Sequence, residues 1–186
     1  VANALDRHAA GERRNQLAVI WEGDNGDVRR LTYRDLYLET NRLANALRSL
    51  GVAKVDRIGI YLPMLPEAVI AVLACGKIGA VFTPLFSGYG EDAVASRLRD
   101  CDASVLITAD SFYRRGASIK MKATADAALK NALSVKRCIV VNRTGEQVEW
   151  IEGRDIWWSD AVTGQSAIAE TEPTDGVAPY MIIYTS

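Results

Sequence analysis

Four runs of the chain are apolar almost without a break: residues 57–62 (RIGIYL), 80–85 (AVFTPL), 104–109 (SVLITA) and 137–142 (RCIVVN). A strand with one wet face alternates apolar and polar side chains. A strand buried on both faces reads as a continuous apolar run. Segments with helical spacing separate these runs. The pattern predicts an α/β fold whose sheet is mostly parallel and covered by helices on both faces. A further run, residues 180–184 (YMIIY), is expected to be the last strand. Such sheets bind ligands beyond the carboxyl ends of their strands, so residues 84–90, 110–116 and 184–186 are where chemistry is expected.

The helices carry their own signals. Thr32 stands three residues before Asp35, a capping-box spacing with Asp in place of the usual Glu. Leu36, Leu43, Ala44, Leu47 and Leu50 then recur at helical spacing, and Gly51 closes the helix. Pro66 opens a second helix, where its missing N–H costs nothing. That helix runs to residue 78, is apolar nearly all round, and is expected to be fully buried. Residues 91–100, 122–133 and 155–162 are expected to be helical as well.

Composition narrows the function classes. The 186 residues suit one domain, and 49% hydrophobic content supports a real core and excludes a disordered tail. A net charge of -1 provides no global field to recruit nucleic acid or membrane. Charge is uneven, however. Residues 111–143 hold eight Lys/Arg against Asp126 alone, whereas residues 144–186 hold eight acids against Arg154 alone. Either two solvated faces partly neutralise each other, or the basic stretch forms an anion-binding surface around Arg114 and Arg115. Cys75, Cys101 and Cys138 are widely spaced, and His8 is the only histidine. That rules against a zinc site and fits a reduced, cytoplasmic protein. The most apolar stretch, residues 68–76, is too short to span a bilayer and is bracketed by Glu67 and Lys77.

One motif points elsewhere. Residues 88–93 (GYGEDA) satisfy GxGxxA after a strand and before a helix, and Asp110 follows at the end of the next strand. This is formally a dinucleotide-binding fingerprint. Against it, Glu91 and Asp92 would occupy the helix amino terminus, where a pyrophosphate needs positive potential. Phe86 and Ser87 also lengthen the turn. The simpler reading is that the two acids stabilise the first turn of a helix.

Several stretches taken together resemble the acetyl- and propionyl-CoA synthetase branch of the AMP-forming acyl-CoA synthetases. They are IWEGD (20–24), LTYRDL (31–36), NRLANALRSLGV (41–52), RIGIYLPMLPEAVIAVLACGKIGAVF (57–82), ITAD (107–110), EGRDIWW (152–158) and IIYTS (182–186). The likeness spans nearly the whole chain in the family's order, with YLPM-x-PEAV and GRD-x-WW the most specific segments. It implies that residues 1–186 are the amino-terminal portion of the large domain of an adenylate-forming enzyme, cut at the start of the phosphate-binding loop.

The resemblance implies a two-step reaction. A carboxylate, expected to be short-chain, attacks the ATP α-phosphate to give an acyl-adenylate and pyrophosphate. The CoA thiol then displaces AMP. ATP, Mg2+ and CoA are the expected cofactors and co-substrates. Thr185 and Ser186 would begin the loop of backbone N–H groups and hydroxyls that surrounds the ATP phosphates. By the same likeness Phe86, Ser87 and Gly88 lie against the CoA adenine, and Arg114 approaches its phosphates, a role that suits an arginine fork. Magnesium ligands, the acyl pocket and the catalytic lysine would lie in a missing carboxy-terminal part. The piece alone is therefore expected to be inactive and to have no catalytic residue of its own.

The chain departs from the family at Ser87, where a second glycine is common, and at Ala117, where a second basic residue is common. Arg115 is the nearest substitute. Pro84 stands where an aliphatic residue is usual. Trp157 and Trp158 are read as packing residues and Cys75 as a small core residue. Two other functions compete with the ligase. One is a dehydrogenase-like domain using residues 88–93. The other is a non-catalytic truncated relative whose basic loop binds an anionic partner.

Overall fold

The computed structural model describes residues 1–185; Ser186 lies outside the described residues. A π-helical turn (Ala2–Asp6) and α1 (Arg7–Ala10) lead into a hairpin of β1 (Leu17–Glu22) and β2 (Val28–Thr32). There follow α2 (Tyr33–Ser49), β3 (Arg57–Ile60), α3 (Pro66–Ile78), β4 (Val81–Pro84), α4 (Glu91–Asp100) and β5 (Val105–Ala109). A second hairpin, β6 (Phe112–Arg114) and β7 (Ala117–Ile119), precedes α5 (Met121–Leu129) and β8 (Arg137–Val141). The described chain ends with β9 (Asp155–Trp157), α6 (Trp158–Val162) and an extended segment.

The central sheet has the order β4-β3-β5-β8-β9, and every pairing in it is parallel. The four continuous apolar runs are β3, β4, β5 and β8, and all five residues of β5 are buried. The crossover β3–α3–β4 travels one way along the sheet, whereas β4–α4–β5 and β5–α5–β8 travel the other. Right-handed crossovers therefore put α3 on one face and α4 with α5 on the other. In agreement, α4 packs on α5, and α2 packs on α3 and α6.

The predicted capping box is present. Thr32 Oγ1 accepts the Asp35 N–H at 3.1 Å, and the Asp35 carboxylate accepts the Thr32 N–H at 3.0 Å. Pro66 is at the first turn of α3. That helix is buried on one side only. Ile70, Ala71, Ala74 and Cys75 are enclosed, while Val69, Val72 and Leu73 stay half-exposed because sheet and α2 cover a single face. The helix expected over 122–133 stops at Leu129.

Two further expectations change. Residues 155–162 are a strand and then a short helix, because an ion cluster draws Asp155 into the sheet edge. Lys122 Nζ, fully buried, donates to Asp126 Oδ1 at 2.7 Å and to the Glu149 carbonyl at 3.0 Å, and it lies 2.9 Å from Asp155 Oδ2. Arg154 Nε donates to Asp155 Oδ1 at 2.6 Å, and its terminal nitrogen reaches Asp126. The GRD-x-WW segment thus ties α5 to the edge strand, and Trp157 stacks on Trp150 at 4.7 Å. Cys75 and Cys138 are enclosed and their thiols are pushed up to about 12 by burial.

Residues 180–184, expected to be the last strand, run parallel to β4 but form one bridge only, Phe82 with Met181. The Phe82 N–H donates to the Tyr180 carbonyl at 3.2 Å, and the Ile182 N–H donates to the Phe82 carbonyl at 3.0 Å. The next donor in this register would be residue 84, which is proline and has no N–H. The Thr83 hydroxyl donates to the Ile182 carbonyl instead, at 2.9 Å.

Two outcomes follow from these contacts. Asp155→Asn should destabilise the protein by about 3 kcal/mol, the low end for breaking a buried ion pair because Asp126 still faces both cations. Burial alone would raise the Asp155 pKa, but hydrogen bonds from Arg154, Lys122 and the Ile151 N–H outweigh it and hold the carboxyl below its usual value. A depressed folded-state pKa stabilises above the unfolded value and loses that contribution as pH falls through the folded one. Urea unfolding should therefore show the parent losing stability below about pH 4, and the Asn variant losing less over the same window. Separately, Pro84→Val should supply the missing donor. Amide hydrogen exchange should then show a protected amide at position 84 and slower exchange at Ile182; unchanged exchange at Ile182 would refute the ladder account.

Candidate functional site

Strand β3 lies between β4 and β5, so the connections leaving the carboxyl ends of β3 and β5 depart to opposite faces. Such a reversal of winding opens a crevice at the carboxyl edge, the usual ligand site of this architecture. A cleft of about 310 Å³ occupies this position. Pro63, Met64 and Leu65 line it from the turn after β3, Phe86 and Ser87 from the turn after β4, and Tyr113 and Arg114 from β6. Trp21, Glu22, Gly23 and Asp24 close it from the first hairpin, and Arg143 from the loop after β8.

A buried carboxylate organises this edge. Asp110, the first residue beyond β5, is 1% exposed. Its oxygens accept the N–H groups of Ser111 (2.7 Å), Arg143 (2.8 Å), Thr144 (3.0 Å) and Gly145 (2.9 Å), and the Thr144 hydroxyl at 3.0 Å. One side chain thereby joins the loops after β5 and β8. The dinucleotide reading fails here. Asp110 has its acceptor capacity spent on backbone donors and is shielded from any ribose. Moreover β4 and β5, which a dinucleotide βαβ unit would place side by side, are separated by β3.

Of the residues singled out in the sequence, Phe86, Ser87 and Arg114 meet in one cleft. Phe86 is 57% exposed and lies edge-on to Tyr89 at 5.6 Å. Gly88 supports it from beneath rather than lining the cleft, because a Cβ there would meet the Phe86 ring at 2.5 Å. The Tyr61 hydroxyl pins the same turn by donating to the Tyr89 carbonyl at 2.9 Å. Arg114 is exposed and has no carboxylate within 4.0 Å among the described residues. Arg115 forms the hairpin turn with Gly116 (φ 51° and 77°) and is not among the residues lining the cleft. Ala117 is the cross-strand partner of Arg114. Thr185 is exposed and lies outside this cleft, while Tyr184 before it donates to Asp100 Oδ2 at 2.6 Å; burial, then that bond, raises its phenol pKa. The expectation for Ser186 lies outside the described residues.

The basic stretch is not one surface. Lys122 is interior, Arg137 begins β8 and Arg143 follows its other end, so the charges divide between opposite edges of the sheet. The cleft itself also carries Glu22 and Asp24. A phosphate there would be recognised by directed arginine N–H groups rather than by a general positive field.

Trp21, Met64, Tyr113 and Arg143 were not singled out from sequence. The two hairpins had readable signals, GDNGD at 23–27 and the Arg115-Gly116 pair between short β-prone runs. Nothing local marks Arg143. Among the described residues no group of three His, Cys, Asp or Glu could hold a metal ion, and no helix is long and apolar enough to cross a membrane.

Comparison with known proteins supports the fold and identifies the family. The family model for the AMP-binding enzyme matches residues 5–186. An acetyl-coenzyme A synthetase of Streptomyces avermitilis is 45% identical over 99% of this chain, and one of Methanothrix thermoacetophila is 47% identical over 99%. The chain spans 28% of the length of each of these relatives. The crystal structure of a Brucella canis acyl-CoA synthetase superposes with a TM-score of 0.81 at 25% identity, covering 100% of this chain and 31% of that one. With a parallel α/β sheet, a cleft at its switch point and a family match from residue 5 onward, the chain belongs to the AMP-binding enzyme family.

Proposed function

We propose that this chain is the amino-terminal part of an AMP-forming acyl-CoA synthetase that activates a short-chain carboxylate as its adenylate and transfers the acyl group to CoA. The observation that carries the reading is the meeting of Phe86, Ser87 and Arg114 in one cleft at the carboxyl edge of the sheet. In it, the exposed Phe86 ring offers a flat apolar surface for the CoA adenine. Arg114, free of a carboxylate partner among the described residues, offers a planar fork to its phosphates. The acetyl-coenzyme A synthetase relatives support the acid and thiol chemistry.

ATP would bind beyond Tyr184, where the resemblance has Thr185 and Ser186 open the phosphate-binding loop, with the remaining phosphate contacts, the Mg2+ ligands, the acyl pocket and the catalytic lysine supplied by parts of the enzyme that this chain does not include. The enclosed, unpaired thiols suit a reducing compartment such as the cytoplasm. On this reading the chain alone makes no acyl-CoA.

In the full-length enzyme, Arg114→Ala should raise the KM for CoA about 5- to 150-fold, the equivalent of about 1–3 kcal/mol for one charged contact. Acid-dependent exchange of pyrophosphate into ATP, which needs no CoA, should stay within twofold of the parent. An unchanged KM for CoA would remove Arg114 from the site.

A further inference from the structure

Arg143 occupies an unusual position between the two hairpins. Its backbone N–H is fixed by Asp110 at 2.8 Å. The guanidinium then reaches the tip of the first hairpin, donating to Asp27 Oδ2 at 2.9 Å and to Asn25 Oδ1 at 2.8 Å. It also lies 5.0 Å from the Trp21 ring and 6.0 Å from the Tyr113 ring. Trp21 is anchored in turn, since its indole N–H donates to the Met64 carbonyl after β3. Gly23 makes the fit possible: a Cβ there would come within 2.7 Å of the Trp21 ring and 2.9 Å of the Arg143 guanidinium.

We infer that Arg143 is a positioning residue for the cleft. By holding Trp21 of one hairpin and Tyr113 of the other at a fixed separation, it sets where the adjacent Arg114 presents its charge to a phosphate-bearing co-substrate. Asp27 and Asn25 each take one donor from a terminal nitrogen, and only 16% of the side chain is exposed, so the guanidinium is held toward the hairpin tip rather than presented to a phosphate as Arg114 is. Arg114 has no partner of its own to fix its direction among the described residues. The neighbouring Tyr113, held against Arg143, provides the restraint. Lysine would reproduce this arrangement only in part, because an ammonium can reach both acceptors but offers no planar fork to lie against the two rings.

The inference rests on the proposed CoA cleft, and the test separates the two. In the full-length enzyme, Arg143→Gln, Arg143→Lys, Asp27→Asn, Arg114→Ala and the Arg114→Ala/Arg143→Gln double variant would be compared. The readouts are KM for CoA, acid-dependent pyrophosphate exchange and thermal midpoint. Arg143→Gln should raise the CoA KM about tenfold with exchange within twofold, Asp27→Asn should move KM the same way by less, and Arg143→Lys should fall between parent and Gln. Once Arg114 is alanine, adding Arg143→Gln should change KM by less than about twofold, since a positioning residue has nothing left to position. If Arg114→Ala raises KM and Arg143→Gln does not, the positioning role is wrong and the cleft stands. If neither moves KM, the cleft reading itself fails. Fully additive effects would mean that Arg143 touches CoA directly and would overturn the inference. Should Arg143→Gln lower exchange and thermal midpoint together, the exposed-anchor variant Asp27→Asn decides: an unchanged KM overturns the role.

Discussion

A parallel sheet whose winding reverses cannot close its carboxyl edge at the point of reversal. In this chain β3 is laid down first, β4 is added on one side and β5 on the other. The turns after β3, β4 and β5 therefore diverge and leave a crevice among them. The remaining structure at this edge responds to that gap. One hairpin precedes the sheet, another follows β5, and each contributes a wall. The residues that line the cleft come from five separate stretches of chain, which is why none of those stretches is a functional motif by itself.

Walls assembled from loops need an internal scaffold, and buried charge supplies it. Asp110 gathers backbone donors from the loops after β5 and β8, satisfying amides that would otherwise be costly to bury. At the other side of the sheet, Lys122, Asp126, Arg154 and Asp155 fasten the helix on one face to the edge strand. Lys77 does the same near the amino terminus, meeting Asp6 at 2.7 Å with the Tyr37 ring 4.7 Å away. These ions were extracted from water at a cost, and their specific geometry rather than net attraction is what they contribute. Each joins elements far apart in sequence.

The elements that could be read from the chain are those whose signal is local. Continuous apolar runs identified β3, β4, β5 and β8, and the Thr32–Asp35 pair marked the start of α2. The run at 180–184 has the same composition yet forms a single bridge. Its fate depends on a missing N–H at Pro84, about a hundred residues earlier. Residues 155–162 look helical until the partners of Asp155 are known. In the cleft, Phe86, Ser87 and Arg114 were legible through family resemblance. The structural role of Asp110 is not legible locally, because three of its four backbone donors lie more than thirty residues downstream. Arg143 was silent for the same reason: its meaning lies in Trp21, Asn25, Asp27 and Tyr113, none of them adjacent in sequence.

The central claim is that the switch-point cleft receives the nucleotide end of CoA. It is tested most directly by photo-labelling the full-length enzyme with a CoA analogue carrying an azide on its adenine ring, followed by peptide mass spectrometry. The account predicts adducts on peptides containing residues 86–88 or 112–114, suppressed by unlabelled CoA. Competable adducts found only elsewhere, for instance in the groove lined by Leu73, Gly176 and Tyr180, would contradict it.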